Sequence, residues 1–74
     1  MITICFYYLK ESGWEYGEKT FDSSNPAIRF CWSMQSNQKM MLDGWKTYSP
    51  ELNEEFSRKV NMYKINHCKK GGSK

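Results

Sequence analysis

One histidine, three widely separated cysteines and no long apolar run set the first limits on this 74-residue chain. The lone His67 stands beside a polar stretch, Lys69-Lys70-Gly71-Gly72-Ser73. A general base must be held within hydrogen-bond reach of its substrate, and such a stretch offers no support for that. Neighbouring acids do not replace it, because Glu54 and Glu55 point apart on a helix and make no carboxyl dyad. A glycine-rich phosphate loop is missing as well. The expectation is a protein that is not an enzyme.

Metal and membrane fare no better. Cys5, Cys31, Cys68 and His67 reach the ligand count of a closed zinc site, yet no two cysteines are two to four residues apart. No metal and no cofactor are expected. An odd number of cysteines, with no basic leader before the first strand-like run, predicts reduced thiols and a cytoplasmic location. The longest apolar run is too short to span a bilayer, so no membrane role is expected. There are no repeats and no linker. Residues 1–66 read as a single domain, and residues 67–74 as a flexible basic tail.

Aromatic residues are what the chain has in excess: three Trp, five Tyr and four Phe. A chain this short buries only about 60% of its unfolded surface. Its interior cannot hold every ring, and the surplus must lie outside, where exposed aromatics mark contact sites.

Ile2 to Leu9 is rich in β-branched and aromatic residues. Ile2, Ile4, Phe6 and Tyr8 take one face; Thr3, Cys5, Tyr7 and Leu9 take the other. Two apolar faces predict a central strand. Lys10-Glu11-Ser12-Gly13 turns the chain, and Trp14, Tyr16, Thr20 and Phe21 return it, with a bulge expected at Gly17. Asp22-Ser23-Ser24-Asn25-Pro26 then opens a helix, with Ser24 or Asn25 predicted to cap it. That helix is read over residues 25–38, with Ala27, Phe30, Cys31 and Met34 inward and Ile28 and Trp32 widening the stripe. Residues 40–48 read as a strand, with Gly44 where the helix packs close. A tight turn at Asp43-Gly44 is the alternative. Ser49-Pro50-Glu51 starts a second helix, residues 50–64, lined by Leu52, Phe56, Val60 and Tyr63. A final strand over 56–65 competes with it. The prediction is an α+β fold: an antiparallel sheet, made by a hairpin at 2–21 and a strand at 40–48, packed with two helices. The predicted core is Ile4, Phe6, Ala27, Phe30, Cys31, Met34, Leu42, Leu52, Phe56 and Val60.

Trp, Tyr, Met and scattered Arg are enriched at interface centres. A protein partner is therefore expected, with Trp14, Tyr16, Trp45 and Tyr48 as contact anchors and Lys10 and Lys46 at the rim. The alternative is a nucleic-acid-binding accessory protein that uses the same aromatics and the cations Lys64, Lys69, Lys70 and Lys74. The net charge of +3 gathers in that last stretch, where no acid occurs. Glu11, Glu15, Glu18 and Asp43, interleaved with the other lysines, would repel phosphate. A homodimer that hides the surplus rings is a further expectation.

In overall character, being short, single-domain, Lys- and Met-rich and free of catalytic motifs, the chain resembles the small accessory proteins of bacteriophages. The resemblance lies in style and not in a motif. It implies a role in inhibiting or sequestering a host protein or defence complex in the host cytoplasm.

Overall fold

The computed structural model describes residues 1–66. The elements run β1 (Ile2–Lys10), β2 (Gly13–Phe21), α1 (Ser24–Gln35), β3 (Met40–Thr47) and α2 (Pro50–Met62). The sheet order is β2-β1-β3, and both pairings are antiparallel. The strand with two apolar faces is thus the central one. The tail read over residues 67–74 lies outside the described residues, and no helix within them is long and apolar enough to cross a membrane.

Both helices pack on one face of the sheet. Ile2, Ile4 and Leu42 meet Ala27, Ile28, Cys31 and Met34 of α1 and Phe56 and Val60 of α2, with Ile65 closing the core. Phe6, Phe30 and Leu52, read as core, are only partly buried at its margin. Ile2, Ile28 and Ile65 are buried although absent from the predicted set. Burial in this core pushes the Cys31 thiol up to about 12.

The hairpin turns through Glu11 and Ser12, and Gly13 leaves it at φ 123°, a conformation that strains any side chain. The bulge lies elsewhere than expected. Gly17 pairs regularly with Phe6, whereas on β3 the partners step from Gly44 opposite Cys5 to Leu42 opposite Phe6. Asp43 is the extra residue there. A Cβ on Gly44 would meet nothing within 4 Å, so no helix packs close to it. Nor is Asp43-Gly44 a tight turn, since the strand continues through it.

Both boundaries of α1 differ from expectation, each for a side-chain reason, and α2 ends at Met62, two residues short of the predicted 64. Ser23, not Ser24 or Asn25, is the N-cap of α1, and its side chain makes no capping bond. Ser24 Oγ instead donates to Glu55 Oε2 at 2.9 Å, and Lys59 Nζ donates to Ser24 Oγ at 3.2 Å and to Asn25 Oδ1. The predicted caps therefore tie α1 to α2. The Ser24 hydroxyl and Lys59 hold the Glu55 carboxyl below its ordinary range. At its other end α1 stops at Gln35, three residues short of the predicted 38. Ser33 Oγ donates to the Phe30 carbonyl and Ser36 Oγ to the Ser33 carbonyl, while Asn37 Oδ1 accepts from the Lys39 amide. Such side chains compete with helical backbone bonding.

Residues 50–62 are helical, which removes the competing strand over 56–65. Ser49 Oγ accepts from the Leu52 amide at 3.0 Å with Pro50 at the first helical position, as the local sequence predicts. Its far end closes through Lys64 at φ 55°. The Ile65 amide donates to the Val60 carbonyl and the Lys64 amide to the Asn61 carbonyl, while Ile65 and Val60 share the core. This is a Schellman closure with lysine where glycine is preferred. Lys64→Gly is therefore expected to stabilise the fold by about 1 kcal/mol, read as a higher urea midpoint with unchanged slope.

Candidate functional site

A sheet covered by helices on one side leaves the other open. Alternation along β1 sends Thr3, Cys5, Tyr7 and Leu9 to that side, and the register sets Thr20, Glu18, Tyr16 and Trp14 of β2 opposite them. From β3 come Lys46 opposite Thr3, Gly44 opposite Cys5 and Met41 opposite Tyr7.

The open face has two zones. At the hairpin end, Leu9, Trp14, Tyr16 and Met41 are 39–47% exposed and surround the half-buried Tyr7. The Tyr7 and Tyr16 rings meet edge to face with centroids 5.5 Å apart. Toward the other end a polar network crosses the strands. Tyr16 Oη donates to Glu18 Oε2 at 2.7 Å, and Lys46 Nζ donates to the same oxygen at 3.0 Å. Thr3 and Thr20 share a hydroxyl hydrogen bond at 2.9 Å. Cys5 is buried on this side, its Sγ 4.0 Å from Glu18 Oε2.

The charges in this network are mutually compensated. The Tyr16 hydroxyl, followed by Lys46, holds the Glu18 carboxyl below its ordinary range. Glu18 in turn holds the Lys46 ammonium above its own. Hydrogen bonding to Cys5 and then to Glu18 raises the Tyr16 phenol, so the ring stays a neutral donor. Lys10 Nζ lies 3.7 Å from Glu15 Oε1, to which Tyr8 Oη also donates. Both lysines expected at a rim thus stand beside carboxylates.

Of the predicted contact residues, the fold brings Trp14, Tyr16 and Lys46 together on the open face, whereas Lys10, at the hairpin end, falls with Tyr8 and Glu15 on the helix side. Trp45 lies on the opposite side of the sheet. It faces Ile4, its ring meets Phe56 edge to face at 5.1 Å, and its Nε1 donates to Asn53 Oδ1 at 2.7 Å. Tyr48, 85% exposed, follows β3 and joins Met1, Thr3, Thr20, Lys46 and Thr47 around a groove of about 230 Å³. Lys64 forms the closure of α2, and Lys69, Lys70 and Lys74 lie outside the described residues.

Leu9 was not expected as a contact residue, and Tyr7 and Met41 were not among the expected anchors. Their signal was present in the alternation of β1, which groups Tyr7 and Leu9 with Thr3 and Cys5. A second ring pair was also missed. Trp32, read as flanking the buried stripe of α1, is 58% exposed and lies against Tyr63, also exposed, with centroids 5.7 Å apart. Together with Asn25, Ile28 and Arg29 these rings line a cleft between the helices.

One cluster has the composition of a nucleophile site: Ser24, Lys59 and Glu55. Its geometry is that of a clamp. Ser24 is buried and donates to a carboxylate, and Lys59 is committed to two neutral oxygens and to Glu55 at 3.5 Å. The hydroxyl is thus buried and committed to the bond that ties α1 to α2, and it is not presented to a substrate. Among the described residues no three His, Cys, Asp or Glu side chains are grouped to hold a metal ion. His67 and Cys68 lie outside them. Compared with family models, with curated proteins and with solved structures, the chain matches none.

Proposed function

We propose that this protein is a small, non-catalytic binding module that occupies a protein surface with the open face of its sheet. The observation that carries the reading is the cluster of Tyr7, Leu9, Trp14, Tyr16 and Met41 on a face that neither helix covers. Rings of this kind, set on a rigid sheet, lose little side-chain entropy on contact and supply large buried area. Lys46 stands at its rim, and Tyr48 extends the surface beyond β3, whereas Lys10 pairs with Glu15 on the helix side of the sheet. The role fits an inhibitor or sequestering factor of the phage-accessory kind, acting on a host protein in a reducing cytoplasm. Cys5 and Cys31 are free thiols in keeping with that compartment.

Nucleic acid is the second reading, favoured by the aromatics on the strands and by the lysines of the last stretch. Pairing of Lys46 with Glu18 and of Lys10 with Glu15 counts against it, since both carboxylates would meet phosphate.

Affinity capture from untreated lysate with the intact chain and with Trp14→Ala in parallel tests the proposal. A defined polypeptide should be retained at high salt by the intact chain. Its affinity, titrated with the purified partner, should fall about 30-fold or more on losing the Trp14 ring. Trp14 is half exposed, so the variant should keep its fold. Material that elutes steeply with salt and proves to be RNA or DNA overturns the reading.

A further inference from the structure

The two edges of the sheet are protected unequally. β3 carries the bulge at Asp43, and α2 packs along it through Trp45 and Phe56. β2 is nine residues of regular pairing without proline or bulge, and among the described residues no strand lies beyond it. A long, regular edge is a template for another strand, and ordinarily bulges, proline, charged side chains or a covering segment block it; of these β2 carries only charges, at Glu15, Glu18 and Lys19.

We propose that β2 pairs with β2 of a second copy of this chain, antiparallel about a two-fold axis at Gly17, giving a continuous six-stranded sheet. This goes beyond the binding role of the open face and does not depend on it. Two observations select the partner and the register. First, Gly17 is the midpoint of Gly13–Phe21, so a two-fold there sets Gly13 against Phe21 and pairs the whole strand with itself. Second, the same register opposes Glu15 of each copy to Lys19 of the other, and Tyr16 to Glu18. Facing residues in antiparallel pairs share a sheet face, and the register changes only in steps that keep each amide aimed correctly. The neighbouring choices are therefore axes at Tyr16 or Glu18. An axis at Glu18 sets Glu18 against its own copy. An axis at Tyr16 puts glycines opposite Glu15 and Lys19. Only the Gly17 axis matches opposite charges across the strands.

The groups concerned are accessible. Glu15, Glu18 and Lys19 are exposed. Lys19 Nζ lies over the Phe21 and Phe30 rings at 5.7 and 5.4 Å, on the helix side where Glu15 of the other copy would arrive. The two helix layers end on the same side of the joined sheet, and the open faces merge into one surface.

Sedimentation equilibrium of the full chain tests this, with Glu15→Lys, Lys19→Glu and the double exchange, at low salt. The intact chain should dimerise with a dissociation constant of roughly tens of micromolar, as small interfaces do. Each single reversal sets two like-charge pairs across the axis and should weaken the dimer about tenfold or more. The double exchange restores opposite charges and should return the constant to within about threefold of the intact chain. That recovery also separates a charge effect from a folding defect, because a variant that merely unfolds is not rescued by a second reversal. An intact chain that stays monomeric at roughly ten times that concentration overturns the proposal. So does a dimer indifferent to both single reversals, or a double exchange that stays as weak as the singles.

Discussion

Phe56→Ala is expected to remove a large part, about a quarter at the least, of the folding free energy of this protein. Phe56 is the largest side chain in the structure that is wholly enclosed, and it sits where α2 crosses β3. Truncating a buried phenylalanine costs about 3–5 kcal/mol, from lost transfer energy and the cavity left behind. A chain of this length has roughly 4–11 kcal/mol in total. The ring also orients Trp45, whose edge-to-face contact and hydrogen bond to Asn53 fix the side of β3 next to α2. Thermal melts should shift down by tens of degrees, and the urea midpoint should fall with an unchanged slope. Phe56→Leu keeps most of the volume and should cost far less. A loss below about 1 kcal/mol for the alanine variant would mean that α2 is not docked as described.

Gly17→Ala is expected to destabilise by about 1–3 kcal/mol, the reverse of what strand propensity predicts. A glycine inside a strand ordinarily gains stability when given a side chain, through reduced chain entropy. Here the added carbon would stand 3.0 Å from Phe6 Cζ and 3.1 Å from Tyr8 Cε1. Neither ring is free to retreat. Phe6 meets Phe30 at 5.3 Å, Phe30 meets Phe21 at 5.5 Å, and Tyr8 donates to Glu15. Displacement at position 17 must propagate along that row. Denaturant titration gives the sign, and aromatic proton shifts of Phe6 and Phe30 report the displacement. A more stable variant would show the rings to be loosely held.

The parts of this fold that were legible in the sequence are those decided by near neighbours. The α2 cap needs only Ser49, Pro50 and the Leu52 amide, and all three occur within four residues. The central position of β1 follows from apolar residues on both of its faces. What was not legible depends on residues distant in sequence. Ser24 and Asn25 look like caps, but their oxygens are claimed by Glu55 and Lys59, more than thirty residues away. The Schellman closure is hidden because a lysine occupies the glycine position, held there by Ile65 in the core. The bulge at Asp43 gives no local sign that would outrank an isolated glycine such as Gly17.

The candidate site was half legible for a related reason. Alternation sorts each strand into two sets, but only the packed helices decide which set is hidden. Trp14 and Trp45 therefore read alike in the sequence, yet one lies on the open face and the other against Phe56. Trp32 differs again. The helical period placed it at the border of the stripe, and a border residue can turn either way.

The one-sided stacking of helices on this sheet divides mutational risk by the parity of residue number. Along β1, even positions from Ile2 to Tyr8 answer to stability, while Thr3, Tyr7 and Leu9 are largely released from it. Variation at those odd positions, and at Trp14 and Tyr16 beside them, would alter the proposed contact surface and spare the helix-covered face. If the open face binds as proposed, one small framework could follow a drifting target.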